Sequence, residues 1–110
     1  MAADTQVTRD SWVSLGGLTW SAPTAVAMTG SSKNLVDANP ARRGIIFWNP
    51  SGNAAVGYDL SGGVVTLAAG IPLVAGASPA FFSMPEVPIS AITVIGTNGQ
   101  TIYYSEALAT

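Results

Sequence analysis

The sequence predicts an all-β fold, an antiparallel β-sandwich or jelly roll with an extended N-terminal arm, on three observations. Twelve Gly and seven Pro are spread along 110 residues, so no window carries apolar residues at helical spacing without a breaker inside it. Short β-branched or aromatic runs recur instead, each followed by turn residues: Ile45-Ile46-Phe47-Trp48 precedes Asn49-Pro50-Ser51-Gly52, and Val64-Val65-Thr66-Leu67 precedes Ala68-Ala69-Gly70. The runs recur about every ten residues with no helical pattern between them, a spacing that suits two packed antiparallel sheets.

Taken in order, the first twenty residues read as an arm. Asp4 to Asp10 shows no apolar alternation, and then Trp12, Val13, Leu15, Leu18 and Trp20 arrive around a Gly16-Gly17 break. The sandwich domain follows over 21–110. Strands are expected near 25–28, 34–36, 44–49, 54–58, 64–67, 71–74, 80–84, 91–95 and 101–106, where β-branched and aromatic residues sit between turn residues. Between the last two, Asn98-Gly99 is a dipeptide that accepts positive φ in tight turns, which predicts an antiparallel hairpin. In Gly44–Trp48 both faces are apolar, Ile45 and Phe47 on one and Ile46 and Trp48 on the other, so one face suits the core and the other calls for a cover.

Composition narrows the function. Charged residues make up 9% of the chain against about 25% in an average globular protein, and hydrophobic residues 48%. A surface so poor in charge fits one that is partly covered by other protein. The chain has no Cys and no His, which removes thiolate nucleophiles, imidazole bases and the usual zinc ligands, and no cofactor is expected. The polar start Met1-Ala2-Ala3-Asp4-Thr5-Gln6 lacks the pattern of an export signal. The most apolar stretch, Val64 to Pro79, is interrupted by Gly70, Pro72 and Gly76, so a soluble protein with no membrane partner is expected. Four basic residues against six acidic ones argue against direct nucleic-acid binding.

Six carboxylates, Asp4, Asp10, Asp37, Asp59, Glu86 and Glu106, are the remaining candidates for acid–base chemistry; no spacing singles out a pair, and the expectation is no enzyme and no catalytic residue. The glycines do not form a nucleotide loop, since neither glycine-rich phosphate motif precedes a helix. Trp12, Trp20, Trp48, Tyr58, Tyr103 and Tyr104 offer an aromatic set that suits core, protein contact or a glycan platform. Arg42-Arg43 is the one basic cluster, with side chains alternating across a strand entrance and able to pair with a carboxylate of this chain or of a neighbour. Phe81 and Phe82 must point to opposite faces of a strand, which puts Phe81, Phe82 and Met84 among the contact candidates.

The string Asn39-Pro40-Ala41-Arg42-Arg43-Gly44, an apolar strand and Asn49-Pro50-Ser51 resembles a block found in small virion proteins of tailed bacteriophages. Two further blocks continue the resemblance, Gly70-Ile71-Pro72-Leu73-Val74-Ala75-Gly76 and Val87-Pro88-Ile89-Ser90-Ala91-Ile92-Thr93-Val94-Ile95, so that it extends over 39–106. The chain looks most like the jelly-roll capsid cement, or decoration, proteins of short-tailed phages of the epsilon-fifteen kind. That resemblance implies a structural protein on the outer capsid surface of the virion, made in the host cytoplasm. It would bridge major capsid protein subunits against internal DNA pressure, often as a homo-dimer about a two-fold axis. From residue type, the expected contacts are Trp12, Val13, Leu15, Leu18 and Trp20 as arm anchors, Arg42 and Arg43 as donors, and Phe81, Phe82 and Met84. The alternative is a tail or head–tail joint module that binds host glycan through Trp48, Tyr58 or Tyr103.

Overall fold

The computed structural model describes residues 18–109, which contain nine β-strands and no helix. The arm expected over the preceding residues, with Trp12, Val13 and Leu15, lies outside the described residues. In chain order the strands are β1 (Leu18–Trp20), β2 (Thr24–Ala27), β3 (Lys33–Val36), β4 (Arg42–Trp48), β5 (Val56–Asp59), β6 (Ile71–Leu73), β7 (Ala80–Ser83), β8 (Ile92–Ile95) and β9 (Thr101–Ala109).

They form two antiparallel sheets. Sheet A has the order β1-β9-β4-β7, with β2 also paired to β9, and sheet B the order β3-β8-β5-β6. Setting β1 aside, the orders 2-9-4-7 and 3-8-5-6 are those of an eight-stranded jelly roll built from two Greek keys. Strands β1 and β2 line the same edge of β9, and the chain between them stays attached through Ser21. Its N–H donates to the Glu106 carbonyl at 2.9 Å, its hydroxyl accepts from the Glu106 N–H at 3.0 Å, and its carbonyl accepts from the Ser105 hydroxyl at 2.5 Å.

Alternation along the strands builds the core. Ile45 and Phe47 of β4, Ile102 of β9, Val56 and Tyr58 of β5, and Ile92 and Val94 of β8 point between the sheets and are buried. The Phe47 ring meets Tyr58 edge-to-face at 4.8 Å between centroids, which ties the two sheets together at their middle. Asn49, just past β4, is buried with its polar atoms satisfied. Its amide nitrogen donates to the carbonyls of Ala54 and Leu73 at 3.0 Å each, and its side-chain oxygen accepts from Asn53.

Three expectations are corrected. The Asn98-Gly99 turn does not make a hairpin: β8 belongs to sheet B and β9 to sheet A. Gly99 does take φ +88°, yet its N–H donates to the Met28 carbonyl and Met28 N–H donates to the Gln100 carbonyl, so the chain crosses the end of the core rather than folding back on β8. Gly96 permits that crossing, since a Cβ there would lie 2.9 Å from Met28 Cγ and 3.0 Å from Val56 Cγ2.

The run Val64–Leu67 is no strand. It is part of a flap, residues 60–70, that folds over the outer face of sheet B. There the Thr93 hydroxyl donates to the Gly63 carbonyl at 2.6 Å, Val65 N–H donates to Ser32 Oγ at 3.0 Å, and Gly70 N–H closes a turn on the Thr66 carbonyl at 2.7 Å. Side chains therefore hold this segment where a strand ladder was expected. Leu18–Trp20, assigned to the arm, is strand β1, because the long β9 extends past β2 and offers it free backbone groups at Ala107–Ala109.

Candidate interaction surface

The polar centre of the molecule lies at one end of the sandwich, where Arg42 is completely buried. Its Nε donates to Glu106 Oε2 at 2.6 Å, one Nη to the carbonyls of Pro88 and Ser90 at 2.6 and 3.0 Å, and the other Nη to the Asp37 carbonyl at 2.6 Å. One guanidinium thus clamps β9 and the segments around Asp37 and Pro88–Ser90 onto the start of β4. A buried cation requires this degree of pairing, and no buried side-chain polar atom among the described residues lacks a partner. The expectation of Arg42 as a donor to another protein is corrected: the carboxylate it pairs with is this chain's own Glu106, and nothing of it reaches the surface.

Arg43 lies at a bulge in the β4–β9 pairing, between the register positions Arg42 and Gly44. It is half-buried, and its Nη1 donates to the carbonyls of Pro40 and Arg42 at 3.2 Å each.

The outer face of sheet A is aromatic and uncharged along a continuous row. Register places Trp20, Ala107 and Gly44 side by side across three strands. Because Ala107 and Gly44 are small, the Trp20 indole lies flat across them: a Cβ on Gly44 would stand 3.1 Å from Trp20 Cη2. The indole stacks with Phe81 of β7 at 6.1 Å and 29°. Phe81 pairs with Ile46, and two residues further along β4 Trp48 stacks with Tyr103 of β9 at 5.9 Å and 15°. Trp20 is 42% exposed and Phe81 55%, and Met84, just past β7, is exposed as well; Ile46, Trp48 and Tyr103 are half-buried. The second apolar face read from Gly44–Trp48 therefore exists, with side chains of β1 and β7 lying over part of it.

From the expected contact set the structure brings Trp20 and Phe81 into contact and takes Arg42 and Phe82 into the interior. Phe82 is corrected to a core position: it pairs with Ile45 and stacks on Phe47 at 6.2 Å, on the face opposite to Phe81. Leu18 is half-buried at the β1 edge opposite Ala109. In the aromatic set, Tyr58 is buried against Phe47, where burial raises its phenol above the usual value, and Tyr104 packs on the core.

The described carboxylates each have local work or none. Glu106 pairs with Arg42, and Asp37 Oδ1 accepts from Asn34 at 3.1 Å. Asp59 accepts from the Ser61 hydroxyl at 2.7 Å and from the Ser61 and Gly63 N–H groups, which lowers its carboxyl below the ordinary range. Glu86 is exposed. Among the described residues no three acidic side chains gather to hold a metal, and no helix is long and apolar enough to cross a membrane.

One surface escaped the sequence reading. The flap over sheet B exposes Val64 and Leu67, and Val74 just past β6 is exposed too; Ile71 of β6 is exposed as well, but it pairs with Tyr58 and so lies on the face toward sheet A. An aliphatic run interrupted by turn residues reads as a strand, and nothing local tells that Val65 alone is buried, beneath the flap on the outer face of sheet B.

No protein-family model matches the chain, and no curated protein does. A solved structure of a chain from the disulfide-linked pili of Bacillus endospore appendages superimposes on it with a TM-score of 0.51, covering 84% of this chain and 88% of that one at 14% identity. The likeness is one of fold. It supports the two-sheet β-sandwich; the 110 residues contain no cysteine with which to form the linkage those pili are described by.

Proposed function

We propose that the protein is a structural, non-catalytic component of a tailed-phage virion that binds the outer surface of the capsid and bridges neighbouring major capsid protein subunits. The phage context rests on the sequence blocks within 39–106; the docking surface rests on the outer face of sheet A. The observation that carries the reading is the exposed Trp20–Phe81 pair on a rigid strand face without a charged side chain in its row.

Such a face suits protein contact. Stacked aromatics offer large area at little cost in rotamer entropy, and a row without charge leaves few groups to desolvate. Arg43 at the nearby bulge supplies a cation whose Nη1 already holds two carbonyls, leaving guanidinium donors for a partner's carboxylate. Many modest contacts on one closed lattice add up, so that pressure from packaged DNA must break them collectively.

The test is co-sedimentation of the purified protein with cement-depleted phage heads, followed by heating while DNA release is recorded. Binding with a raised release temperature, lost in Phe81→Ser, is the expected result. A folded protein that does not bind overturns the reading. The stacked Trp48–Tyr103 pair supports the alternative of a glycan-binding tail or head–tail joint module. A saturable change of Trp fluorescence on glycan titration, without shell binding, is the outcome that favours it.

A further inference from the structure

Each sheet has two outer edges, and three of the four carry a device that discourages a further strand. Strand β3 has Lys33 and an irregular register between Asn34 and Val36, β6 has Pro72 in its middle, and β1 and β2 share an edge broken by Pro23. Strand β7 has none. Ala80-Phe81-Phe82-Ser83 pairs in unbroken register with β4 on one side, and on the other the outward N–H and C=O groups of alternate residues meet no strand among the described residues.

A cleft of about 360 Å³ lies beside that edge, between β6 and the stretch leading into β7, lined among others by Tyr58, Leu73, Val74, Ala77, Ser78 and Pro79. Tyr58 is only 7% exposed, and its phenol oxygen makes no hydrogen bond among the described residues. No fully buried side-chain oxygen there lacks a partner, so this one is open to an occupant, and the cleft is where Tyr58 meets the surface. A nearly buried hydroxyl without a protein partner is a polar position that whatever fills the cleft has to match.

We infer that the strand completing β7 is Trp12–Leu15 of a second copy of this chain, with Trp12 and Ser14 turned over the cleft. The segment is identified by elimination. The strand-forming runs of residues 18–109 are already placed in the two sheets or the flap, and the run left over is Ser11-Trp12-Val13-Ser14-Leu15, which contains no Pro, Gly or charge and is joined to β1 through Gly16-Gly17. Alternation puts Trp12 and Ser14 on one side and Val13 and Leu15 on the other. An indole N–H and a hydroxyl then meet the hydroxyls of Tyr58 and Ser78, while Val13 and Leu15 lie beside Phe81 on the outer face of sheet A; the opposite facing would seal the phenol under aliphatic side chains.

Chain reach decides which copy supplies the strand. Register runs Trp20–Ala107–Gly44–Ser83 across sheet A, and Leu18 and Ala80 lie to opposite sides of that row. With strands about 4.8 Å apart and residues about 3.3 Å apart along them, a position outside β7 at Ala80 is roughly 25 Å from Leu18. Trp12–Leu15 precede Leu18 by three to six residues, a span of about 10–22 Å at full extension, too short to reach it within one copy. Donor and acceptor are therefore different parts of each copy, and copies link head-to-tail into chains or rings. The inference does not rest on the capsid reading.

The experiment uses the full chain. Sedimentation velocity up to about 1 mM, the range of weak association, compares the wild type with S14P, which removes a donor N–H from the added strand, with S78W, which fills the cleft, and with their equimolar mixture. The wild type should form oligomers that grow with concentration, and each variant alone should stay monomeric. The mixture should stop at a heterodimer, because S14P keeps the cleft and S78W keeps the segment. Circular dichroism checks the folds, and S78R replaces S78W if that variant fails. A synthetic peptide of residues 9–17 is then titrated into S14P, with amide shifts expected at Ala77–Ser83. Tyr58→Phe in the same background should weaken peptide binding about three- to tenfold, the loss of one hydrogen bond. A wild type monomeric throughout, oligomers that persist in either variant, a mixture that recovers nothing, or peptide shifts confined to another surface would overturn the inference. Phage heads are absent from every sample, so the failure of this contact and the failure of shell binding are distinguishable.

Discussion

The Arg42 end of the sandwich and the outer face of sheet A reverse the usual placement of residue types. A guanidinium is sealed inside while an indole and a phenyl ring face water, although β4 contributes to both regions. Polarity by itself therefore does not decide burial; satisfaction of partners does. Arg42 can be interior because a carboxylate and three carbonyls converge on it, whereas Trp20 and Phe81 remain outside because Phe47, Ile45 and Ile102 already fill the space between the sheets. An interior charge fixes geometry, and a surface aromatic offers binding.

The contrast yields predictions in descending size. Arg42→Ala leaves Glu106 and three carbonyls without their donor, and should lower the free energy of unfolding by about 3–5 kcal/mol, read from urea denaturation. Glu106→Gln keeps an acceptor in place and should cost about 1–2 kcal/mol by the same measurement. If both cost nothing, the clamp does not organise that end of the sandwich.

Gly70→Ala forces a Cβ to 2.8 Å from Val65 Cγ2 and 2.9 Å from the Thr66 carbonyl, so the flap must lift or strain. A loss of about 1–3 kcal/mol is expected, with faster amide exchange at Val65. Phe81→Ser marks the opposite regime: loss of the ring stacked on Trp20 should cost only about 1 kcal/mol of stability, and the larger response should be in association. A large loss of stability in that variant would show that Phe81 is structural and would collapse the contrast.

The smallest effect is electrostatic and belongs to the flap. The Asp59 carboxyl is lowered by hydrogen bonds to its charged form, led by the Ser61 hydroxyl, so its contribution is present above the unfolded value. It is lost as pH falls through the lowered folded value. The amide shifts of Ser61 and Gly63 should therefore titrate below the ordinary carboxylate range, and Asp59→Asn should remove that titration.

Much of the strand inventory was legible because β-branched and aromatic runs sat between turn residues, as at Ile45–Trp48 and Ile92–Ile95. The opposite facing of Phe81 and Phe82 followed from strand geometry alone. What sequence hid was long-range. Arg42 meets Glu106 across 64 positions, and no local pattern announces that pairing. Asn98-Gly99 carries the chemistry of a hairpin turn, yet tertiary topology uses its positive φ for a crossing between sheets. The apolar run at Val64–Leu67 has strand composition, but the side-chain hydrogen bonds that hold it as a flap come from Ser32, Asp59 and Thr93. Of the candidate surface, Trp20 and Phe81 were found by residue type, while the small residues Gly44 and Ala107 beneath the indole could be recognised only once register was known.

The pairing order also dictates a sequence of events in time. Among the described strands only β5 and β6 are neighbours both along the chain and in a sheet, whereas β1, β2 and β4 all wait for β9. A chain leaving the ribosome can close the β5–β6 ribbon early, but sheet A is limited to the β4–β7 pair until the last strand emerges. Folding should accordingly be slow for the length, with the clamp of Arg42 formed only when Glu106 arrives, and the half-made sheet is the stage at which a chaperone would find apolar surface to hold.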